Sequence, residues 1–123
     1  MISKKIISTL FVGTLMSGQA FSLDNENFTV TQVDVTKNLG VVWVDSSDKP
    51  LNKQPTCNGR RHSFVACELS DDFCKSMISL ALAAKTTGGS VDFEFYGDGD
   101  KDQYKDGECI GSFAMGSRFR LSE

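Results

Sequence analysis

The chain has 123 residues, of which 40% are hydrophobic and 24% charged, and its formal net charge is −3. This composition excludes collagen-like, coiled-coil, low-complexity and polytopic membrane proteins, and the length favours one domain.

A secretory signal peptide is predicted over residues 1–20. A basic head precedes an apolar run from Ile6 to Met16, and small residues follow it. The run is shorter than the roughly 20 residues that span a bilayer, so an uncleaved anchor is the less favoured alternative. We expect cleavage after Ala20, with Ser22 as the second choice.

The mature domain, residues 21–123, is therefore expected to be secreted or periplasmic, with no membrane span after cleavage. Loss of the signal peptide removes two of the 13 basic residues and none of the 16 acidic ones, which leaves a net charge of −5. This negative charge disfavours a nucleic-acid partner.

The first strands of the mature chain are expected on either side of a turn at residues 37–40. The polar segment 23–27 is expected to fray. Two alternating segments, 28–30 and 33–35, are out of phase by one residue, which predicts a β-bulge near Gln32. The β-branched and aromatic run 41–44 predicts the next strand.

Residues 45–56 hold both prolines and are expected to form a loop, and Asn58-Gly59 is a turn signal. Residues 63–69 predict a further strand, with two side chains on each face. Phe64 and Ala66 would share one face, and Val65 and Cys67 the other.

One helix is predicted over residues 71–86. Apolar residues recur there at helical spacing, Ser70 can cap the start, and Gly88-Gly89 ends it. The strand that follows is expected to have one solvent-facing side, because three apolar residues (Val91, Phe93, Phe95) alternate with three polar ones (Asp92, Glu94, Tyr96).

Residues 97–108 are expected to form an acidic loop, and residues 109–121 predict one long strand or a hairpin kinked at Gly111 or Gly116. Two or three strands, one helix, and two or three more strands indicate the α+β class. A small, mostly antiparallel OB-type barrel or sheet, partly open and with the helix at one end, fits this order.

The four cysteines, Cys57, Cys67, Cys74 and Cys109, all lie in the exported part of the chain. In a domain of this size they indicate two disulfide bonds, for which three pairings are possible. A zinc site is disfavoured, because the chain contains no C-x-x-C pair and only one histidine, His62.

No catalytic constellation stands out, and the protein is expected to be neither an enzyme nor dependent on a cofactor. His62 follows two arginines and is expected to be a solvated surface residue. The chain has no Gly-x-Ser-x-Gly elbow and no Gly-rich phosphate loop after a strand.

The acidic loop contains carboxylates at alternate positions, Asp98, Asp100 and Asp102, as a calcium loop does. Gln103 stands at the sixth position instead of glycine, and Cys109 at the twelfth instead of glutamate. A solvated loop is therefore favoured over a calcium site.

Ligand contacts are predicted for Arg60, Arg61, Tyr96 and Tyr104. The two arginines form the concentrated positive charge of an acidic chain and suit a carboxylate. The two tyrosines flank the acidic loop and could stack on sugar rings, although a solubilising basic loop and rim tyrosines are the simpler interpretation.

Short motifs between about residues 40 and 95 carry a family resemblance. They are Gly40-Val41-Val42, Cys57, Val65-Ala66-Cys67, the helix Lys75–Lys85, Thr86-Thr87-Gly88-Gly89-Ser90-Val91 and Asp92-Phe93-Glu94-Phe95. With these motifs the chain resembles the binding (B) subunits of the subtilase-cytotoxin and typhoid-toxin group of AB5 toxins. It is also similar to small exported bacterial proteins of OB type.

The resemblance implies an OB-type fold, and for the toxin branch a homopentamer that binds glycans or another cell-surface receptor beside a toxin A subunit. In the toxin B subunits a serine that contacts sialic acid lies just before the Gly-Val-Val-like strand, where this chain has Leu39. The resemblance therefore transfers no sialic-acid residue.

The resemblance also bears on the disulfide pairing. The pattern of the small exported proteins implies Cys57–Cys109 with Cys67–Cys74. The toxin-like pattern implies Cys57–Cys67 with Cys74–Cys109.

The sequence thus favours a non-enzymatic exported binding module that resembles a toxin B subunit. The alternative is a monomeric periplasmic or secreted accessory protein, an inhibitor or adaptor for a protein partner.

Overall fold

The computed structural model describes residues 23–52, 56–57, 60–96, 104–105, 108–109 and 115–123, and for the pairs 56–57, 60–61, 104–105 and 108–109 it describes the backbone alone. The elements in chain order are β1 (Asn25–Val35), β2 (Leu39–Val44), β3 (Thr56–Cys57), β4 (Arg60–Arg61), β5 (Phe64–Glu68), α1 (Asp72–Thr87), β6 (Ser90–Phe95), β7 (Tyr104–Lys105), β8 (Glu108–Cys109) and β9 (Gly116–Leu121). The predicted signal peptide and the three aspartates of the acidic loop lie outside the described residues.

Five strands form one antiparallel sheet in the order β5-β2-β1-β6-β9, and the hairpins β3-β4 and β7-β8 stand apart from it. The predicted α+β class is confirmed. Within the described chain, the edge strand β5 meets the residue before β9 at one isolated parallel bridge, between Ala66 and Met115. The sheet is not closed by a ladder, so a barrel is not confirmed. No helix among the described residues is long and apolar enough to cross a membrane.

The helix α1 lies where the sequence predicts it, shifted by one residue. Asp71, not Ser70, occupies the N-cap position, and its side chain makes no capping hydrogen bond. At the other end Gly88 adopts the left-handed conformation, with φ of 74°, and the N–H of Gly89 donates to the Ala84 carbonyl at 2.9 Å. This conformation favours glycine, which explains why the helix ends there.

The two alternating segments of β1 are joined by a bulge, as their phase conflict predicts. The register of β1 against β2 shifts between Val30 and Gln32. The shift keeps Val30 and Val33 on the side of the helix, although they are three positions apart and a regular strand would place them on opposite faces. The frayed start predicted for β1 is wrong, because Leu23 and Asn25 are buried.

Side chains pack against both faces of β2 and β5. The inner face carries α1, and its cluster includes Val42, Val65 and Cys67 of the sheet. The outer face carries a second cluster, made of Leu39, Val41, Phe64, Ala66 and Met115, against which Trp43 packs. The predicted division of residues 64–67 between two faces is confirmed, and both faces are buried.

The helix approaches the sheet closely at Gly40. A Cβ atom built on Gly40 would lie 2.7 Å from Ile78 Cδ1 and 3.1 Å from Cys74 Sγ. The absence of a side chain at this position therefore sets the separation of α1 and β2.

A disulfide bond joins Cys67 on β5 to Cys74 in the first turns of α1. It belongs to the pairing implied by the small exported proteins and is incompatible with the toxin-like pairing. The bond between Cys57 and Cys109 stays a prediction, because the side chains of these residues lie outside the described part.

The solvent-facing side predicted for β6 is wrong at Asp92, which is 4% exposed. Its carboxylate accepts hydrogen bonds from the Asn27 N–H at 2.9 Å, from Arg120 Nε at 3.0 Å and from the Ser122 hydroxyl. Burial raises the pKa of Asp92, but the three donors and the charge of Arg120 outweigh it, so the net pKa lies below the usual value.

We expect Gly40→Ala to lower the free energy of unfolding by about 1–3 kcal/mol, because the new methyl group forces α1 away from β2. Urea unfolding measures the effect. Gly89→Ala is the matched control, since the nearest atom to its Cβ lies at 3.4 Å. Equal stabilities of the two variants would contradict the close-approach argument.

The double variant Cys67→Ala/Cys74→Ala should lose about 2–3 kcal/mol of stability, the contribution expected from a bond that closes a sequence separation of seven residues. Thermal unfolding measures the loss. Peptide mapping without reduction should recover Cys67 and Cys74 in one linked peptide, and a Cys57–Cys67 peptide would refute the assignment.

Asp92→Asn should lower the free energy of unfolding at pH 7 by about 2 kcal/mol, because hydrogen bonds to a charged acceptor are lost. The folded-state pKa of Asp92 is below its ordinary value of 3.8, so its contribution to stability is present above pH 3.8 and is lost as the pH falls through the folded pKa. The difference between wild type and variant should therefore shrink in strong acid. Asp48→Asn, which changes an exposed acid, is the control, and a pH-independent difference would exclude the carboxylate as the cause.

Candidate functional site

A row of three side chains crosses the outer face of the sheet. Gln32 on β1 is paired with Trp43 on β2, and Trp43 is paired with Phe64 on β5. Directly opposed residues lie on the same face, so the three side chains are neighbours. Gln32 is exposed, Trp43 is half-buried and Phe64 is buried. The row thus passes from solvent to packed core.

Asp34 holds this row in place. Its Oδ2 accepts a hydrogen bond from the indole Nε1 of Trp43 at 2.9 Å. Nε2 of Gln32 lies 2.8 Å from each oxygen of the same carboxylate. The half-buried carboxylate therefore orients an aromatic ring and an amide together. An ionised carboxylate has about four acceptor positions, so it can accept all three of these contacts.

Aromatic contacts extend the row towards β4. The rings of Trp43 and Phe64 meet edge to face with their centroids 5.0 Å apart, and the ring of His62 lies 5.6 Å from that of Phe64. His62 is half-buried, so it keeps part of its surface in solvent while its ring packs on Phe64. We call Gln32, Asp34, Trp43, His62 and Phe64 the outer-face site.

The backbone of the two predicted arginines directly precedes the outer-face site in the chain. Arg60 and Arg61 form β4, which pairs with Cys57 and Thr56 of β3 across the Asn58-Gly59 turn signal. Arg61 directly precedes His62. The side chains of both arginines lie outside the described part, so their contacts with the outer-face site stay a prediction.

The predicted tyrosines are placed only in part. Tyr96 is 51% exposed, and its N–H donates to the Met115 carbonyl at 3.1 Å. Met115 belongs to the outer cluster that also contains Phe64, so Tyr96 borders the same face. Tyr104 lies on β7, and its side chain is outside the described part.

Sequence reasoning missed Gln32, Asp34 and Trp43 as functional candidates. The signals were present, namely a single tryptophan in the chain and a phase shift that moves Gln32 and Asp34 to the face of that tryptophan. The pattern predicted the bulge, but only the pairing of β1 with β2 brings the three side chains together.

Comparisons of the chain with protein-family models, with curated proteins and with solved structures gave no match in any of the three. The resemblance to toxin B subunits therefore stays a prediction, and the outer-face site stands on its own geometry.

Proposed function

We propose that the protein is an exported, non-enzymatic binding module whose outer-face site recognises a hydroxyl-rich ring, such as a sugar of a cell-surface glycan. The observation that carries the proposal is the hydrogen-bonded set of Asp34, Trp43 and Gln32. Export itself rests on the signal-peptide pattern of residues 1–20.

The chemistry of this set suits a sugar. A sugar ring has an apolar face of C–H groups and a rim of hydroxyls, so its binding sites combine an aromatic side chain with planar polar groups. Trp43 supplies the aromatic ring, and Asp34 and Gln32 supply the planar polar groups. Because Asp34 fixes the indole before any ligand arrives, little side-chain freedom is lost on binding.

The neighbouring residues supply charge and further contact area in this proposal. Arg60 and Arg61 would pair with the carboxylate of an anionic sugar, and Tyr96 and Tyr104 would extend the aromatic surface. A homopentamer and a toxin A subunit as its partner belong to the proposal through the resemblance alone.

The monomeric accessory protein is the alternative, and the exposed edge of the sheet favours it. Strand β9 ends the sheet, and Leu121 at its end is 40% exposed. An edge strand can pair with a strand of another protein. Light scattering distinguishes the two proposals, because a pentamer has five times the mass of the mature chain.

We expect Trp43→Phe and Asp34→Asn each to weaken binding to a glycan array about tenfold or more, equivalent to about 1.4 kcal/mol. The first change removes the indole N–H and the second removes the charged acceptor. Arg60→Ala/Arg61→Ala should weaken binding of anionic glycans only.

Asp48→Asn is the matched control, because it makes the same chemical change at an exposed position outside the outer-face site. Circular dichroism checks that every variant is folded. A monomer without array signal would favour the accessory protein, and wild-type binding by folded Trp43→Phe and Asp34→Asn variants would refute the site.

A further inference from the structure

A second surface feature lies at the other end of β1. It is a cleft of about 440 Å³, lined by residues 23–26, Phe28 and residues 49–52. None of these residues belongs to the outer-face site. The loop that follows β2 forms one wall, and the start of β1 forms the other.

Both walls of the cleft are held by specific contacts. The register of β1 against β6 shifts between Asn25 and Phe28, and Asn27 adopts a left-handed conformation with φ of 62°. Asp92 accepts the Asn27 N–H and so fixes this bulge. On the other side, the ammonium group of Lys49 donates to the Glu26 carbonyl and lies 4.7 Å from the centre of the Phe28 ring.

Asn25 carries a buried donor without an acceptor at this cleft. The residue is 2% exposed, and its Oδ1 accepts the Asn52 N–H at 2.6 Å. That bond fixes the orientation of the amide, because only the oxygen can accept from an N–H. Nδ2 then has no hydrogen-bond partner among the described residues. Buried polar groups in folded proteins are almost always paired, so the exception points to a missing partner.

The surrounding groups define the chemistry of that partner. Nδ2 requires an oxygen acceptor, while the Asp24 and Glu26 carboxylates disfavour an anion. The Lys49 ammonium group disfavours a cation. A stacked sugar is also disfavoured, because Phe28, the aromatic residue of the lining, is 3% exposed and already covered by Lys49.

We propose that this cleft binds an extended peptide segment of a partner protein. A peptide amide presents both groups that the cleft can satisfy: its carbonyl accepts from Asn25 Nδ2, and a neighbouring N–H donates to the Glu26 carboxylate. This proposal does not depend on glycan recognition at the outer-face site.

Entry of the peptide requires movement of the loop. Nδ2 is buried, so the carbonyl reaches it only when the exposed loop residues Lys49, Pro50 and Asn52 shift. Lys49, Pro50 and Asn52 are exposed, whereas Leu51 is 4% exposed and anchors the loop in the core. The exposed residues can therefore move without unpacking the anchor.

The test is a titration of the ¹⁵N-labelled protein with N-acetyl-leucine methylamide, a probe with two amides and one apolar side chain. The side-chain amide signal of Asn25 and the backbone signal of Asn52 should shift and saturate. Asn25→Asp, which keeps the acceptor for Asn52 and removes the donor, should weaken binding about tenfold. Asn38→Asp, the same change in the turn after β1, should bind as wild type does.

Glu26→Gln provides a second variant, because a buried carboxylate at position 25 could prevent folding. It should weaken binding about threefold. An unshifted Asn25 signal would overturn the proposal and would indicate an ordered water molecule as the partner. A folded Asn25→Asp variant that binds the probe as tightly as wild type would also overturn the proposal. So would N-acetylglucosamine, if it shifted the Asn25 and Asn52 signals and bound more tightly than the probe.

Discussion

The buried carboxylate of Asp92 is the interaction on which the arrangement of β1, β6 and β9 depends. It joins the bulge of β1, through the Asn27 N–H, to Arg120 and Ser122 at the end of the chain. These partners are 65, 28 and 30 residues away in sequence. A buried charge is tolerated only when its partners are complete, so the start of β1 and the end of β9 are positioned together.

A second constraint is that both faces of β2 and β5 are buried, whereas α1 covers only one of them. Gly40 allows α1 to lie directly on β2, and the Cys67–Cys74 bond fixes the helix start to β5. The outer faces of the same strands then carry Phe64 and Ala66, which are also buried. Trp43 lies at the margin of that outer cluster. A large aromatic residue at the boundary of a packed surface is well placed to contact a ligand while its hydrogen-bond partner holds it still.

Local sequence patterns predicted most of the secondary structure correctly. The helix was predictable because its 3.6-residue period ends at Gly88, where a left-handed residue is required. The bulge of β1 was predictable from the phase conflict between residues 28–30 and 33–35. Both features depend on neighbours in sequence, which is the range over which pattern reasoning is strongest.

The features that sequence reasoning missed depend on distant partners. Asp92 is in an alternating strand and was expected in solvent, because Arg120 and Ser122 become its neighbours only through the pairing of β6 with β9. The cleft was missed for the same reason, since Asn25 and Asn52 are 27 residues apart. The number of elements predicts a partly open OB-type barrel or sheet, but element order does not determine whether two edge strands form a full ladder.

Two irregularities in one strand account for both proposed binding surfaces. The shift between Asn25 and Phe28 opens β1 beside the loop 49–52 and creates the cleft. The shift between Val30 and Gln32 turns Gln32 and Asp34 towards Trp43 and creates the outer-face site. A regular β1 would pair evenly with β2 and β6, and its alternation would direct different side chains to each face. β-bulges commonly redirect side chains at functional sites, and β1 contains two within 11 residues. The strand that is least regular in its pairing is therefore the one that supplies residues to both sites.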